Sequence, residues 1–284
     1  MRGWRVRAVA RGACLALSLL AASGPARAQE FVYGVLPETD QLFRRLLADP
    51  RQAQTALRYY RLEGDNLSDV ALGNIWGMAR WRVGGDDDWI FQLNVEGMGY
   101  SRFQLSGGIN EFRTIDFFAN LPVEMRYGSF SARVTLFHES SHLGDDYIRR
   151  TNDRGFRYSV EGLGVIASYE PHPLVRVYGG GTGLLDAIPR RQEGSAQWGF
   201  ELRTPDLRWH ERHECWLYLA QDFKSLGRVR WNLNSKTNLG FRMGIPKVIR
   251  ALRMHAGYFG GHSEYGQFFR DKEHYFDLGV SFDF

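Results

Sequence analysis

Cysteine is almost absent from this chain: two in 284 residues, Cys14 and Cys215. Cys14 falls inside an N-terminal leader, and the one thiol left cannot make an internal disulfide. Long apolar runs are missing too. Nothing beyond the leader approaches the ~18 uninterrupted apolar residues of a membrane-crossing helix. No glycine-rich phosphate loop, dinucleotide fingerprint or Cys-His metal cluster occurs, which removes the usual nucleotide-binding classes. A basic excess is also missing, although the whole chain carries a net +4. The leader holds five of the 36 Lys and Arg and none of the 32 Asp and Glu, leaving 31 against 32, a net of −1. A nucleic-acid partner is therefore not expected.

The leader is residues 1–28. Arg2, Arg5, Arg7 and Arg11 form a basic start, Ala13 to Ala22 a short apolar core, and Ala26-Arg27-Ala28 a small-residue cleavage site. This pattern predicts a secretory signal peptide and a mature chain beginning at Gln29. Residues 29–53 are read as a lead-in. Within it Glu38 to Ala48 places Leu42, Phe43, Leu46 and Leu47 at helical spacing, which predicts a small helix capping the periplasmic end of a barrel.

Aromatics are plentiful (19 Phe, 13 Tyr and 8 Trp), and 32 Gly are spread through the chain. From Gln54 onward twelve strand-like runs can be counted, with turn chemistry at Gly84-Gly85-Asp86, Gly107-Gly108, Pro171-His172-Pro173, Pro205-Asp206 and Pro246-Lys247. Many runs alternate. Trp89, Phe91, Leu93 and Val95 oppose Gln92, Asn94 and Glu96. Ile115, Phe117, Ala119, Leu121, Val123 and Met125 oppose Asp116, Asn120, Glu124 and Arg126. Tyr158, Val160, Gly162 and Ile166 oppose Arg157, Ser159 and Glu161. Polar faces carrying both Glu and Arg suit a wet lumen laced with ion pairs. Residues 54–284 are therefore expected to be all-β: a closed antiparallel transmembrane β-barrel of about 12 strands. Expected lumen residues are Glu96, Glu124, Arg133, Glu139, Arg157 and Glu161, lining a narrow pore or plugging it. The last run puts Phe276, Leu278, Val280, Phe282 and the final Phe284 on one face. It resembles the C-terminal strand of outer-membrane proteins, which implies an outer-membrane location and the barrel-assembly machinery as a partner.

The stretch RVTLFHESSHLGDD, from Arg133 to Asp146, has two readings. As a helix, His138-Glu139-Ser140-Ser141-His142 is an H-E-x-x-H zinc-protease motif, with both imidazoles on one face. As a strand, those two histidines stand about 13 Å apart, too far for one ion, and Glu139 turns away. Val134, Thr135, the paired serines and Gly144 favour the strand. On a strand His138 and Ser140 share a face about 6.6 Å apart at the backbone, from where their side chains can meet as base and nucleophile. His138-x-Ser140 with Asn152 twelve residues further on resembles outer-membrane phospholipase A. The lipid A 3-O-deacylase barrel is similar, with Glu in the third position. The resemblance implies hydrolysis of acyl esters in outer-leaflet lipids, Ser140 attacking, His138 moving the proton and Asn152 holding the imidazole. It also implies calcium, for which Asp145 and Asp146 are the candidate ligands. Both families tend to carry Asn after the Ser, where this chain has Ser141. The SSHLGDD and LLADPRQAQ stretches resemble an uncharacterised family of bacterial outer-membrane barrels, which implies location and no chemistry. A non-catalytic polar rim at headgroup level, or a pore, stays open as the alternative, as does a second copy of the chain as a partner.

Overall fold

Side chains alternate in and out along twelve long strands, and the strands close on themselves. The computed structural model describes residues 31–32, 41–83, 89–105, 110–190, 194–208, 214–245 and 249–283. The signal-peptide reading of residues 1–28 and the final Phe284 lie outside them. A two-residue strand, β1 (Phe31–Val32), lies against β3. The wall runs β2 (Thr55–Leu62), β3 (Asp65–Val83), β4 (Trp89–Gln104), β5 (Glu111–Tyr127), β6 (Phe130–Leu143), β7 (Tyr158–His172), β8 (Val175–Ile188), β9 (Ser195–Arg203), β10 (Cys215–Leu226), β11 (Asn232–Ile245), β12 (Ile249–His262) and β13 (Lys272–Asp283). Each pairs antiparallel with its chain neighbours, and β13 pairs back onto β2, which closes the ring. Closure removes the unpaired edges that hydrocarbon could not satisfy. Among the described residues no helix is long and apolar enough to cross a membrane, which says nothing of strands.

The turns follow local chemistry. Between β2 and β3, Glu63 and Gly64 both take positive φ, 51° and 96°, the two-residue turn that matches strand twist. At Gly279 a Cβ would lie 2.2 Å from the His255 ring, so only glycine lets that imidazole fit inside the wall.

The outward face is apolar: Leu72, Phe117, Leu121, Leu136, Leu239, Phe276 and Leu278 are all exposed. The inward face is charged and buried. Asp69 accepts from Arg58 (2.8 Å), Arg102 (3.2 Å) and the hydroxyls of Tyr60 (2.8 Å) and Tyr100 (3.1 Å). Arg102 also bridges to Glu273 at 2.6 Å. A soluble protein would reverse this arrangement.

The lead-in differs from expectation. Its described part, 41–53, contains no helix and does not sit below the barrel; it enters the lumen as irregular chain. Phe43 and Leu46 are fully buried there. Helical spacing arose because the segment turns apolar side chains towards several walls at once. Irregular backbone needs outside partners for its amides, and the wall supplies them. Glu124 Oε2 accepts from the N–H groups of Leu42 (2.8 Å) and Phe43 (3.2 Å), while Arg133 donates to Glu124 Oε1. Glu201 accepts from Leu47 N–H, and Asn238 donates to the Leu47 carbonyl. Arg51 reaches Asp116 (2.7 Å) and Glu139 (3.0 Å). From the opposite end the β12–β13 connection folds inward. Tyr265 stacks on Tyr100, Gly266 N–H donates to Asp116 and Gln267 N–H to Ser141. A cavity of about 280 Å³ remains, lined by both charge signs, including Arg51, Glu139, Lys224 and Arg228.

Of the expected lumen residues, Glu96, Glu124, Arg133 and Glu139 face inward. Glu161 and Arg157 do not. On β7 Tyr158 and Val160 are buried inside, and Leu163 and Val165 are exposed. This run is apolar on both faces, so alternation alone could not orient it; the lumen took the tyrosine, whose hydroxyl meets Arg228 and Glu139.

We expect Glu124→Ala to destabilise the barrel by about 3–5 kcal/mol, because it strands buried Arg133 and two plug amides. Denaturant unfolding in detergent measures this, and a loss below about 1 kcal/mol would contradict the plug's anchoring role. The wild-type chain in a planar bilayer is expected to show no steady open-channel conductance.

Candidate functional site

Strand β6 carries His138, Ser140 and His142, and its two faces have different tasks. Register fixes their neighbours. His138 lies opposite Ala119 on β5 and Glu161 on β7; Ser140 lies opposite Phe117 and Ser159. His138 and Ser140 face outward, and their inward neighbours Glu139 and Ser141 hold Arg51 and Gln267. The zinc reading fails here. Residues 138–142 are strand, Glu139 points to the opposite side from both histidines, and among the described residues no group of three or more His, Cys, Asp or Glu could hold a metal.

His138 Nδ1 lies 3.4 Å from Glu161 Oε1, with both side chains about half exposed on the outer wall. Asp186 of β8 pairs with Glu161 in turn and is also exposed. An ionisable cluster on the apolar outer wall is costly unless the residues pair or do something. With Nδ1 turned to the carboxylate, the imidazole keeps Nε2 free on the same face as Ser140. Among the described residues no hydrogen bond yet joins Ser140 to His138. Such contacts are commonly loose without substrate.

Asn152 is not in this cluster. It ends the short helix α1 (Asp145–Thr151), taking a left-handed conformation (φ 58°) with its N–H donated to Ile148. It is exposed and lies six residues before β7 begins, outside the β6–β7 ladder. The helix lengthens the connection, so the partner of His138 falls at 161. Sequence reasoning placed Glu161 in the lumen and missed Asp186; pairing outward from Ser141 and Tyr158, once β7 is located, recovers both. Arg157, just before that pair, is exposed.

Asp145 and Asp146 head α1. Asp146 Oδ2 accepts from Phe112 N–H, and Oδ1 from Arg149. These bonds, the backbone one first, hold its carboxyl below the usual range. Oδ2 thus ties α1 to β5 while Oδ1 pairs within the helix, and Asp145 is exposed. Among the described residues Asp145 and Asp146 stand in no group of three or more His, Cys, Asp or Glu that could hold a metal.

Twelve antiparallel strands, a charged filled lumen and an apolar outer wall define an outer-membrane-type β-barrel. The chain belongs to the family described as Protein of unknown function (DUF1207), whose profile matches residues 20–284. Among curated proteins nothing matches it. Its fold is similar to outer membrane phospholipase A from Escherichia coli, with TM-score 0.53 and 12% identity over 87% of this chain and 94% of that one. It is also similar to the Salmonella typhi outer membrane phospholipase, solved as a dimer with bound calcium, with TM-score 0.50 and 10% identity over 86% of this chain and 94% of that one. At such identities the likeness shows the fold alone.

A depressed carboxyl stabilises the state that ionises it. Asp146's contribution is complete above about pH 4 and is lost as pH falls through its lower folded value. Asp146→Asn at neutral pH is expected to loosen α1. Trypsin should then cut after Arg149 and Arg150 faster than in wild type, and unchanged cutting would remove this tethering role.

Proposed function

We propose that this chain is an integral outer-membrane barrel that hydrolyses acyl esters of outer-leaflet lipids, with Ser140, His138 and Glu161 as nucleophile, base and orienting acid. The observation that carries this reading is the outward His138–Glu161 contact beside Ser140. Ser140 Oγ attacks the ester carbonyl while His138 Nε2 takes its proton. Glu161 holds Nδ1–H and balances the imidazolium, and the same proton then passes to the leaving alkoxide. Water repeats the sequence to release the fatty acid. Val134, Leu136, Leu163 and Val165 form an exposed apolar surface along the same two strands, suited to an acyl chain lying against the wall. Under this reading α1 faces the cell exterior and both chain termini face the periplasm. The alternation of β13, ending on Phe284 in the sequence, suits recognition by the barrel-assembly machinery.

One observation favours a second reading, a non-catalytic plugged barrel: Ser140 and His138 share a face without bonding.

Refolded protein is assayed for fatty acid release from phospholipid and from lipid A. Ser140→Ala is expected to lower release by roughly a thousandfold or more. Glu161→Gln should cost roughly tenfold or more through misorientation of the imidazole, and Asn152→Ala less than about twofold. No release from either lipid by wild type would leave the plugged-barrel reading, and equal release by Ser140→Ala would remove the nucleophile.

A further inference from the structure

Arginine crowds the end of the lumen where the chain enters and leaves. A cavity of about 430 Å³ there is lined by eight arginines and three carboxylates, Glu201, Glu214 and Asp283. The carboxylates nearby are shared out thinly. Glu170 serves both Arg44 (3.0 Å) and Arg126 (3.3 Å), and Asp283 serves both Arg45 (2.7 Å) and Arg253 (3.0 Å). Among the described residues Arg203 makes no ion pair: its Nε donates to the Pro173 carbonyl, and its guanidinium lies 5.4 Å from the Trp216 ring. Arg242 covers the same ring at 5.3 Å and pairs with Glu214 at 3.4 Å, as Arg176 pairs with Glu201 at 3.3 Å.

The hydrogen-bond inventory is one-sided as well. Arg176 is 1% exposed, yet its Nε and Nη2 have no partner; Arg44 Nε, Arg253 Nε and Trp216 Nε1 are also buried without one. Every one of these is an N–H donor on a residue lining the cavity. Buried orphan donors call for an acceptor. Water could accept, but it could not balance the excess of positive charge held at low dielectric. What answers both demands is a compact anion that only accepts, with oxygens directed to several guanidinium forks at once.

We propose that this vestibule is a binding site for a phosphate-type oxyanion, as free phosphate, a small phosphorylated molecule or a phospholipid headgroup. A tetrahedral phosphate offers more acceptor lone pairs than a carboxylate and carries up to two charges. The orphan nitrogens of Arg176, Arg253 and Trp216 are the donors it engages, and Arg203 and Arg242, steadied on the indole, close the mouth. The site lies inside the wall at the end remote from Ser140, so it does not depend on the hydrolase reading.

The full mature chain, refolded in phosphate-free detergent, is titrated calorimetrically with inorganic phosphate and with pyrophosphate, sodium chloride holding ionic strength constant. One saturable site is expected. Arg203→Gln with Arg242→Gln should weaken it by ~10-fold or more, and Arg176→Gln should abolish it. Circular dichroism confirms that each variant keeps its barrel, and the double variant stands as the test if Arg176→Gln misfolds. Ser140→Ala should bind as wild type does, which separates this site from the outer-wall chemistry. Phosphatidylglycerol in the micelle that suppresses the titration would identify a headgroup as the source, and no suppression a soluble phosphate; both support the site. Absence of saturable binding, equal binding by the double variant, or displacement by chloride at matched ionic strength would overturn it. So would binding that appears only in Glu38→Gln with Asp40→Asn, since the chain's own acids would then be the occupant.

Discussion

One carboxylate ties the inside of this protein to its wall. Glu124 accepts two plug amides on one oxygen and Arg133 on the other, and Arg133 in turn donates to the Phe43 carbonyl. A twelve-strand barrel encloses more space than its own side chains readily fill. Filling it with irregular backbone creates unpaired amides and carbonyls in a water-poor space. The lumen's acids and arginines meet that demand. They pair with each other, and several also act as hydrogen-bond partners for chain that has no ladder of its own. Asp116 shows the same logic from the other end, joining Arg51 of the plug to Gly266 of the inward-folded connection.

This filling also backs the outer wall. The same strand that presents His138 and Ser140 outward holds Arg51 through Glu139 and Gln267 through Ser141 on its inner face. A reactive pair must be held to a fraction of an ångström, and a strand clamped from behind is better suited to that than one facing an open channel. The His138–Glu161 contact crosses from β6 to β7, and the adjacent Tyr158 is pinned inside by Arg228. The ladder that sets the distance between His138 and Glu161 is therefore fixed from behind on both strands.

The architecture was readable from alternation, because a strand with acids on one face and aromatics on the other has one sensible orientation in a barrel. β4 and β5 illustrate this: Gln92, Asn94, Asp116 and Glu124 are buried where alternation put them. β7 was not readable. Its apolar residues fall on both faces, and the burial of Tyr158 depends on Arg228, seventy residues away. The lead-in misled for a related reason. Leu42, Phe43, Leu46 and Leu47 sit at helical spacing, yet the amides of Leu42, Phe43 and Leu47 are claimed by Glu124 and Glu201 on the wall, a preference no local pattern carries. The outer-wall pair His138 and Ser140 was visible in the sequence; the contact of His138 with Glu161 was not. A spacing of twelve residues assumes a tight return, and α1 makes the return longer.

The seam of the ring is its shortest pairing. β2 has eight residues and meets β13 over six pairs, from Thr55–Phe282 to Tyr60–Asp277. The residues just ahead of β2 are those that occupy the lumen. Filling of the interior and closure of the cylinder thus share a single peptide junction at Gln54, which couples the ring's shortest ladder to the chain packed behind it.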